Sequence, residues 1–305
     1  MGNVVWRLGW TATAMSFGIS SSLSSSPRYL SVGGSRLAYH AHETDSLVGV
    51  LFLPGFQSTM DGTKALFLED YCRSRRLSFV RFDYRGHGLS WSASACESNS
   101  SHAERRHDLV LTDWIEDAQT VLRETVLGTK TDGVILVGSS MGVWIALRIA
   151  MQRRSFAATE LLSVPPIKGI VGMAAAPDFT REIWNELPLE EQQRLQQEEE
   201  GIYWRPSAYS TEPYPIPYKL VRDAAQHELL TRDSIPLGDT TVAIRLLHGL
   251  DDPDVSWTTS VELAKKLECP NVVVSLIKNG DHRLSTPSDC KRMVDALSEV
   301  FGEIE

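Results

Sequence analysis

The sequence predicts a doubly wound α/β domain, and two patterns predict it. Short runs rich in Val, Ile and Leu recur at 48–53, 78–82, 134–137, 169–173, 242–247 and 272–277. Segments with helical spacing separate them, at 64–75, 108–127, 141–152, 257–267 and 289–300. Near-continuous apolar runs, rather than strict alternation, belong to strands covered on both faces of a parallel sheet. Alternation sustained over this length requires crossovers that place helices on both faces and ligand sites at the carboxyl ends of the strands.

Composition narrows the function. The chain has 305 residues, 42% of them hydrophobic, and Lys+Arg 30 against Asp+Glu 39 leaves a formal charge of −9. A net acidic protein lacks the basic face that nucleic acid needs for counterion release, so no nucleic-acid partner is expected. No uninterrupted apolar run reaches the length of a membrane span, so no transmembrane segment is expected. Cys72, Cys96, Cys269 and Cys290 are far apart, without CxxC spacing or a histidine cluster. Reduced thiols, no disulfide framework and no structural metal follow.

From Met1 to His42 there is no Asp or Glu, while Arg7, Arg28 and Arg36 occur and serines crowd positions 16–26. An acid-free, Ser-rich, Arg-bearing start is the composition of a mitochondrial transit peptide, and residues 1–30 are expected to be such a peptide or plain disordered chain. The α/β core is expected over 31–176 and 237–305. Between its halves, 177–236 breaks the rhythm with two helical stretches near 181–200 and 218–230 and no good strand. An insertion of about sixty residues is long for a loop and suits a helical lid. A second, Ser-rich insertion at 91–107 reads as a surface excursion.

The chemistry-bearing residues sit at the ends of the predicted strands. Gly138-Ser139-Ser140-Met141-Gly142 fits G-x-S-x-G in one frame, after a strand and before a helix, the context that motif needs. Ser140 is then the attacking oxygen, and a serine needs a base to take its proton. The partners should follow in the order acid, then histidine, each after a later strand. His282 is the histidine after the last predicted strand. Asp251, Asp252, Asp254 and Asp281 compete for the acid. Asp281 adjoins His282 too closely in sequence to face it well. Asp252 lies four residues after His248 and three before Val255, in the H-G-x-x-D-x-x-V register of hydrolases of this fold, and is preferred, with Asp251 as the alternative. His248 is expected to shape the strand-end turn.

An oxyanion hole is expected from the backbone N–H groups of Met141 and of Phe56, in the Pro54-Gly55-Phe56 loop. The run Arg81–Ser90 matches no phosphate-loop spacing and reads as a structural turn. Asp113, Asp117 and Glu124 read as a solvated helix face. No cofactor or metal is called for. The lid aromatics Trp184, Tyr203 and Trp204 are candidates for contact with an acyl chain.

These residues resemble the α/β-hydrolases, and more closely a group of mitochondrial serine hydrolases among them. The likeness runs from about Tyr39 to Val300 and is carried by Met60-Asp61-Gly62-Thr63-Lys64-Ala65-Leu66, Arg81-Phe82-Asp83-Tyr84, Val137–Trp144, Leu246-Leu247-His248-Gly249, Val255-Ser256-Trp257 and Asp281-His282-Arg283. It implies an α/β-hydrolase fold and Ser140, Asp252 and His282 as the triad. It also implies mitochondrial (matrix) localisation, S-depalmitoylation of proteins, and hydrolysis of acyl glucuronides. S-acylated proteins, small acyl esters or acyl glucuronides are then the expected partners. A carboxylesterase with no physiological thioester, or a non-catalytic binding protein, is the alternative. The chain departs from the pattern at the 91–107 insertion and at Val143, where a second glycine is usual.

Overall fold

A computed structural model describes residues 26–90, 109–152, 164–198, 201–207, 211–238 and 241–304. The 91–107 insertion, Cys96 and all but the last few residues of the expected presequence lie outside them. The first strand, β1 (Arg28–Val32), already begins at Arg28, so the boundary expected at residue 30 falls inside it.

An eight-stranded sheet carries the fold. β1 and β2 (Ser35–His42) form an antiparallel hairpin in register Val32↔Ser35. Gly33 and Gly34 make its two-residue turn, both at positive φ (52° and 79°), as the primed hairpin turns require. β3 (Val48–Leu53), β4 (Ser78–Phe82), β5 (Gly133–Ser139), β6 (Ile167–Met173), β9 (Ala243–Gly249) and β10 (Val272–Ile277) are mutually parallel, and the spatial order is β1-β2-β4-β3-β5-β6-β9-β10. The order reverses direction at β3, with β4 on one side and β5 on the other. That switch point opens the crevice in which α/β sheets bind ligands.

The apolar runs are continuous because alternate side chains feed two cores. Leu51, Leu53, Val134 and Leu136 join a cluster with α2 (Leu111–Glu124), α3 (Val126–Lys130), α4 (Met141–Gln152) and α8 (Thr258–Lys266). Val50, Phe52, Ile135 and Val137 join the opposite cluster with α1 (Thr63–Ser74) and α9 (Pro287–Ile304). Period two on a strand buried on both faces produces this division. Cys72, Cys269 and Cys290 are buried thiols.

The segment between β6 and β9 departs from expectation. It holds α5 (Phe179–Glu186), α6 (Leu189–Gln197) and α7 (Tyr218–Ala224), and also a strand pair, β7 (Ile202–Arg205) with β8 (Tyr214–Pro217). The expectation of no strand here is therefore corrected. The prolines at 215 and 217 cannot donate to a ladder, which suits them to a two-stranded ribbon whose outer edges are unpaired. The helix expected over 181–200 breaks at Leu187 (ψ 140°), since Pro188 bars its predecessor from helical backbone. Asp178, at the segment's start, accepts the N–H groups of Leu229 (2.8 Å) and Leu230 (2.7 Å), tying both ends of the segment together.

A second correction concerns α2. Asp117 is fully buried, whereas a solvated face was expected. Its carboxylate accepts the Arg85 Nε–H at 2.6 Å and the Arg85 N–H at 2.8 Å. Arg85 also reaches Glu116 at 2.6 Å. Burial pushes the Asp117 carboxyl up to about 7, against the pull of the Arg85 charge. The i, i+4, i+11 spacing could not reveal this, because the partner lies on the loop after β4. Asp117→Ala leaves a buried guanidinium short of its main partner and should cost about 3 kcal/mol, whereas Arg85→Met with Asp117→Leu should cost much less. Urea unfolding of the three chains measures the difference.

Candidate active site

Ser140 sits between β5 and α4 with φ 54°, a left-handed backbone that costs an L-residue roughly 1–2 kcal/mol. Glycines make the turn possible. A Cβ on Gly138 would stand 2.6 Å from the Gly142 carbonyl carbon, and one on Gly142 would stand 2.0 Å from Leu53 O. The Ser140 N–H donates to Met173 O at 2.8 Å, and its carbonyl accepts the Val143 N–H at 3.0 Å. The turn is thus tied to the end of β6 and to the first turn of α4. Val143, bulkier than the usual glycine, is accommodated across the interface by Gly172, where a Cβ would come 3.0 Å from it.

The structure brings three of the expected side chains into line. His282 Nε2 lies 3.0 Å from Ser140 Oγ, and His282 Nδ1 lies 2.8 Å from Asp252 Oδ2. With Nδ1–H donating to the carboxylate, Nε2 presents its lone pair to the hydroxyl. The Asp252 side chain has no exposed area, and its Oδ1 accepts the N–H groups of Asp254 and Val255, both at 2.9 Å. Burial opposes ionisation of Asp252, but hydrogen bonds from His248 and His282 outweigh it and hold the carboxyl well below its usual range. The other acids stand elsewhere. Asp251 is exposed, Asp281 accepts the Leu284 N–H at 2.9 Å, and Asp254 faces the cavity.

His248 does more than shape a turn. It is fully buried, its Nε2 lies 3.2 Å from Asp252 Oδ2 and 3.1 Å from Val255 O, and its Nδ1 lies 2.7 Å from Ser260 Oγ. The second imidazole therefore braces the same carboxylate from behind. Spacing alone signalled the proximity of His248 and Asp252, four residues apart, but not Ser260.

Gly55 lies against the serine, since a Cβ there would stand 3.3 Å from Ser140 Cβ. Phe56 follows it and lines the cavity together with Ser140. Met141 opens α4, so its N–H has no carbonyl one turn earlier in the helix to bond. The Phe56 ring is enclosed by His87, Trp114, Phe179 and Tyr214 at centroid distances of 5.6–6.2 Å.

Above the serine lies a cavity of about 730 Å³. One wall carries Lys64, Ser140, His282 and Arg283, and the inserted segment supplies the other, with Phe179, Glu182, Ile183, Glu186, Trp204, Arg205 and Tyr214 among its residues. Of the three expected lid aromatics, only Trp204 lines it. Trp184 packs on Tyr218 at 5.0 Å, and Tyr203 is outside the lining. On α5 the lining positions are 179, 182, 183 and 186, one helical stripe, and Trp184 falls off it. Sequence reasoning missed that stripe, although its i, i+3, i+4, i+7 spacing was visible. Lys64 reaches across to donate to Arg283 O, and burial pushes its ammonium down to about 8. Asp252, Asp254 and His282 also bring potential metal-ligand atoms within 4.8 Å of one another. Asp252 and His282 are already bonded to each other there, the arrangement of an acid–base pair. No helix among the described residues is long and apolar enough to cross a membrane.

Comparison with known proteins fits this geometry. The model of the alpha/beta hydrolase family matches residues 50–296. Mouse palmitoyl-protein thioesterase ABHD10, mitochondrial, is 32% identical over 257 residues, covering 84% of this chain and 76% of that protein. The human protein of the same name is also 32% identical over 257 residues, covering 84% and 74%. Among solved structures, mouse ABHD10 superposes with TM-score 0.75 at 29% identity, over 92% of this chain and 100% of that chain. A putative hydrolase from Agrobacterium vitis S4 superposes with TM-score 0.76 at 31% identity, over 90% and 97%.

The turn at Ser140 makes a direct prediction. Gly142→Ala drives a methyl into Leu53 O and should destabilise the chain by about 1–3 kcal/mol, as overpacking does. Thermal unfolding measures it, and an unchanged midpoint would contradict the packing described.

Proposed function

The chain belongs to the alpha/beta hydrolase family and is a hydrolase, and from that premise we propose a serine mechanism on acyl thioesters, removing S-linked palmitoyl groups from proteins. The observation that carries this reading is the His282 Nε2 to Ser140 Oγ distance of 3.0 Å with Asp252 behind the ring. Ser140 attacks the carbonyl as His282 takes its proton. Asp252 keeps the imidazole in the required tautomer and stabilises the imidazolium. The N–H groups of Phe56 and Met141 receive the developing oxyanion, where one such donor is worth about 2.7–4 kcal/mol. His282 then protonates the leaving group and activates the water that clears the acyl-enzyme. A thiol of pKa about 8.5 leaves with little help, which suits a thioester.

The segment 177–236 acts as a lid in this reading, with Phe179, Ile183, Trp204 and Tyr214 against the acyl chain. A cavity of about 730 Å³ is within the ordinary range for small-molecule sites. A second reading, hydrolysis of acyl glucuronides, is favoured by the wall's polar residues, with Lys64, Arg205 and Arg283 beside Glu182, Glu186 and Glu212. A mitochondrial matrix location is part of this reading, supported by the naming of its relatives as mitochondrial and by the acid-free, Arg-bearing composition of residues 1–42.

A fluorophosphonate should label the protein, and Ser140→Ala should abolish labelling and turnover together. Labelling that survives the substitution would sink the serine mechanism. Asp252→Asn should lower kcat by about 10³–10⁴ with little change in KM, because the amide favours the wrong tautomer. Competition between an acyl thioester and its oxyester or glucuronide decides substrate preference, with higher kcat/KM expected for the thioester.

A further inference from the structure

We infer that His87, which the serine mechanism leaves unused, is a positioning residue that sets the direction of the oxyanion donor. The inference rests on Ser140 being the nucleophile and the Phe56 N–H an oxyanion donor. The loop after β3 is a tight turn, closed by the Ser58 N–H donating to Gly55 O at 3.1 Å. Its third residue, Gln57, has φ 58°. A left-handed third residue is the mark of a type II turn, where glycine or asparagine is the ordinary occupant. Types I and II differ by turning over the central peptide, here the one joining Phe56 to Gln57. A glutamine left to itself prefers the right-handed alternative. Something outside the turn must therefore hold that peptide.

His87 is what holds it. The Gln57 N–H donates to His87 Nε2 at 3.2 Å. The other ring nitrogen, Nδ1, lies 3.1 Å from Arg85 O, so it carries the proton and leaves Nε2 as an acceptor. Arg85 O also accepts the Trp114 Nε1–H at 3.2 Å, which anchors it to α2. The imidazole is buried and packs edge-on against Phe56 at 6.2 Å and Trp114 at 5.3 Å. If the central peptide turned over, the Phe56 carbonyl would replace the Gln57 N–H against Nε2, setting acceptor against acceptor. Phe56 shares its α-carbon with that peptide, so locking it fixes the backbone of the residue taken as the oxyanion donor. The Asp83–Ser90 loop supporting His87 is itself fixed, because the Asp83 carboxylate accepts the N–H groups of Met60 at 2.7 Å and Leu89 at 2.8 Å. The segment 81–90, expected to be a structural turn, thus reaches the chemistry through one imidazole.

The test is a double-mutant cycle on thioester hydrolysis. His87→Phe should lower kcat at least tenfold with KM within about threefold of the parent. It should weaken a trifluoromethyl ketone, which mimics the tetrahedral intermediate, by a similar factor. His87→Gln, whose side-chain carbonyl can accept the same N–H, should recover most of the loss. In a Gln57→Gly background, where the turn needs no support, His87→Phe should change kcat by less than about threefold. A general packing role would not be relieved by a glycine at position 57. Equal effects of His87→Phe in both backgrounds, or a loss confined to KM, would overturn the proposal. Should His87→Phe fail to fold, His87→Gln and His87→Asn in the two backgrounds give the same comparison. Labelling of Ser140 by fluorophosphonate in the parent chain separates the two failures. If the parent is unlabelled, the serine mechanism falls and this inference with it; if it is labelled and the cycle shows no coupling, only the role of His87 falls.

Discussion

Everything in the site depends on the left-handed backbone of Ser140. A strand must end and a helix begin within one residue, and that residue must carry a side chain, so the strain cannot be removed by placing a glycine there. It is absorbed instead by Gly138 and Gly142, whose missing Cβ atoms leave room for the following turn and for the Leu53 carbonyl. The Ser140 N–H held by Met173 O and its carbonyl held by the Val143 N–H stop the turn from relaxing. The adjacent strands β3 and β6 are therefore part of the nucleophile's geometry. Strain of this kind persists only where the surroundings over-determine it, which is why such backbone clusters at functional sites.

The loops around that turn are held by buried polar groups rather than by apolar packing. Asp83 holds the start of the loop preceding α1, Asp117 holds Arg85 and its backbone, Asp178 holds the return of the inserted segment, and His248 holds Asp252. Each is a buried group whose burial would be costly unpaired and is offset by two or more hydrogen bonds. Directional bonds to side chains give these loops a fixed geometry, with His248 bonded to Asp252 and His87 to the Gln57 N–H.

The cavity combines two kinds of recognition. Phe179, Ile183, Trp204 and Tyr214 supply apolar area, while Lys64, Arg205 and Arg283 and the four carboxylates of Glu182, Glu186, Glu212 and Asp254 line the same cavity. A purely aliphatic tunnel would bar polar leaving groups. The mixed lining offers both apolar area and charged groups to whatever enters it.

The strands, the Ser140 turn and the order serine, acid, histidine were legible because each rests on local patterning: apolar runs of strand length, paired glycines around a serine, and a histidine after the last strand. The hairpin at Gly33-Gly34 was not read from the sequence, because its flanking strands alternate too weakly to stand out. Other features needed the folded chain. Asp117 could not be told from a solvated acid, nor His87 from a turn residue, because their partners are 32 and 30 residues away on other elements. Trp184 looked like a substrate contact and instead packs on Tyr218, away from the cavity lining, since helical phase decides which side of α5 faces the cavity. By itself the sequence determined which residues could do chemistry and where along the chain they fall. Only the tertiary structure decided which of them meet, because hydrogen bonds and buried charges act over a few ångströms of space and are blind to separation along the chain.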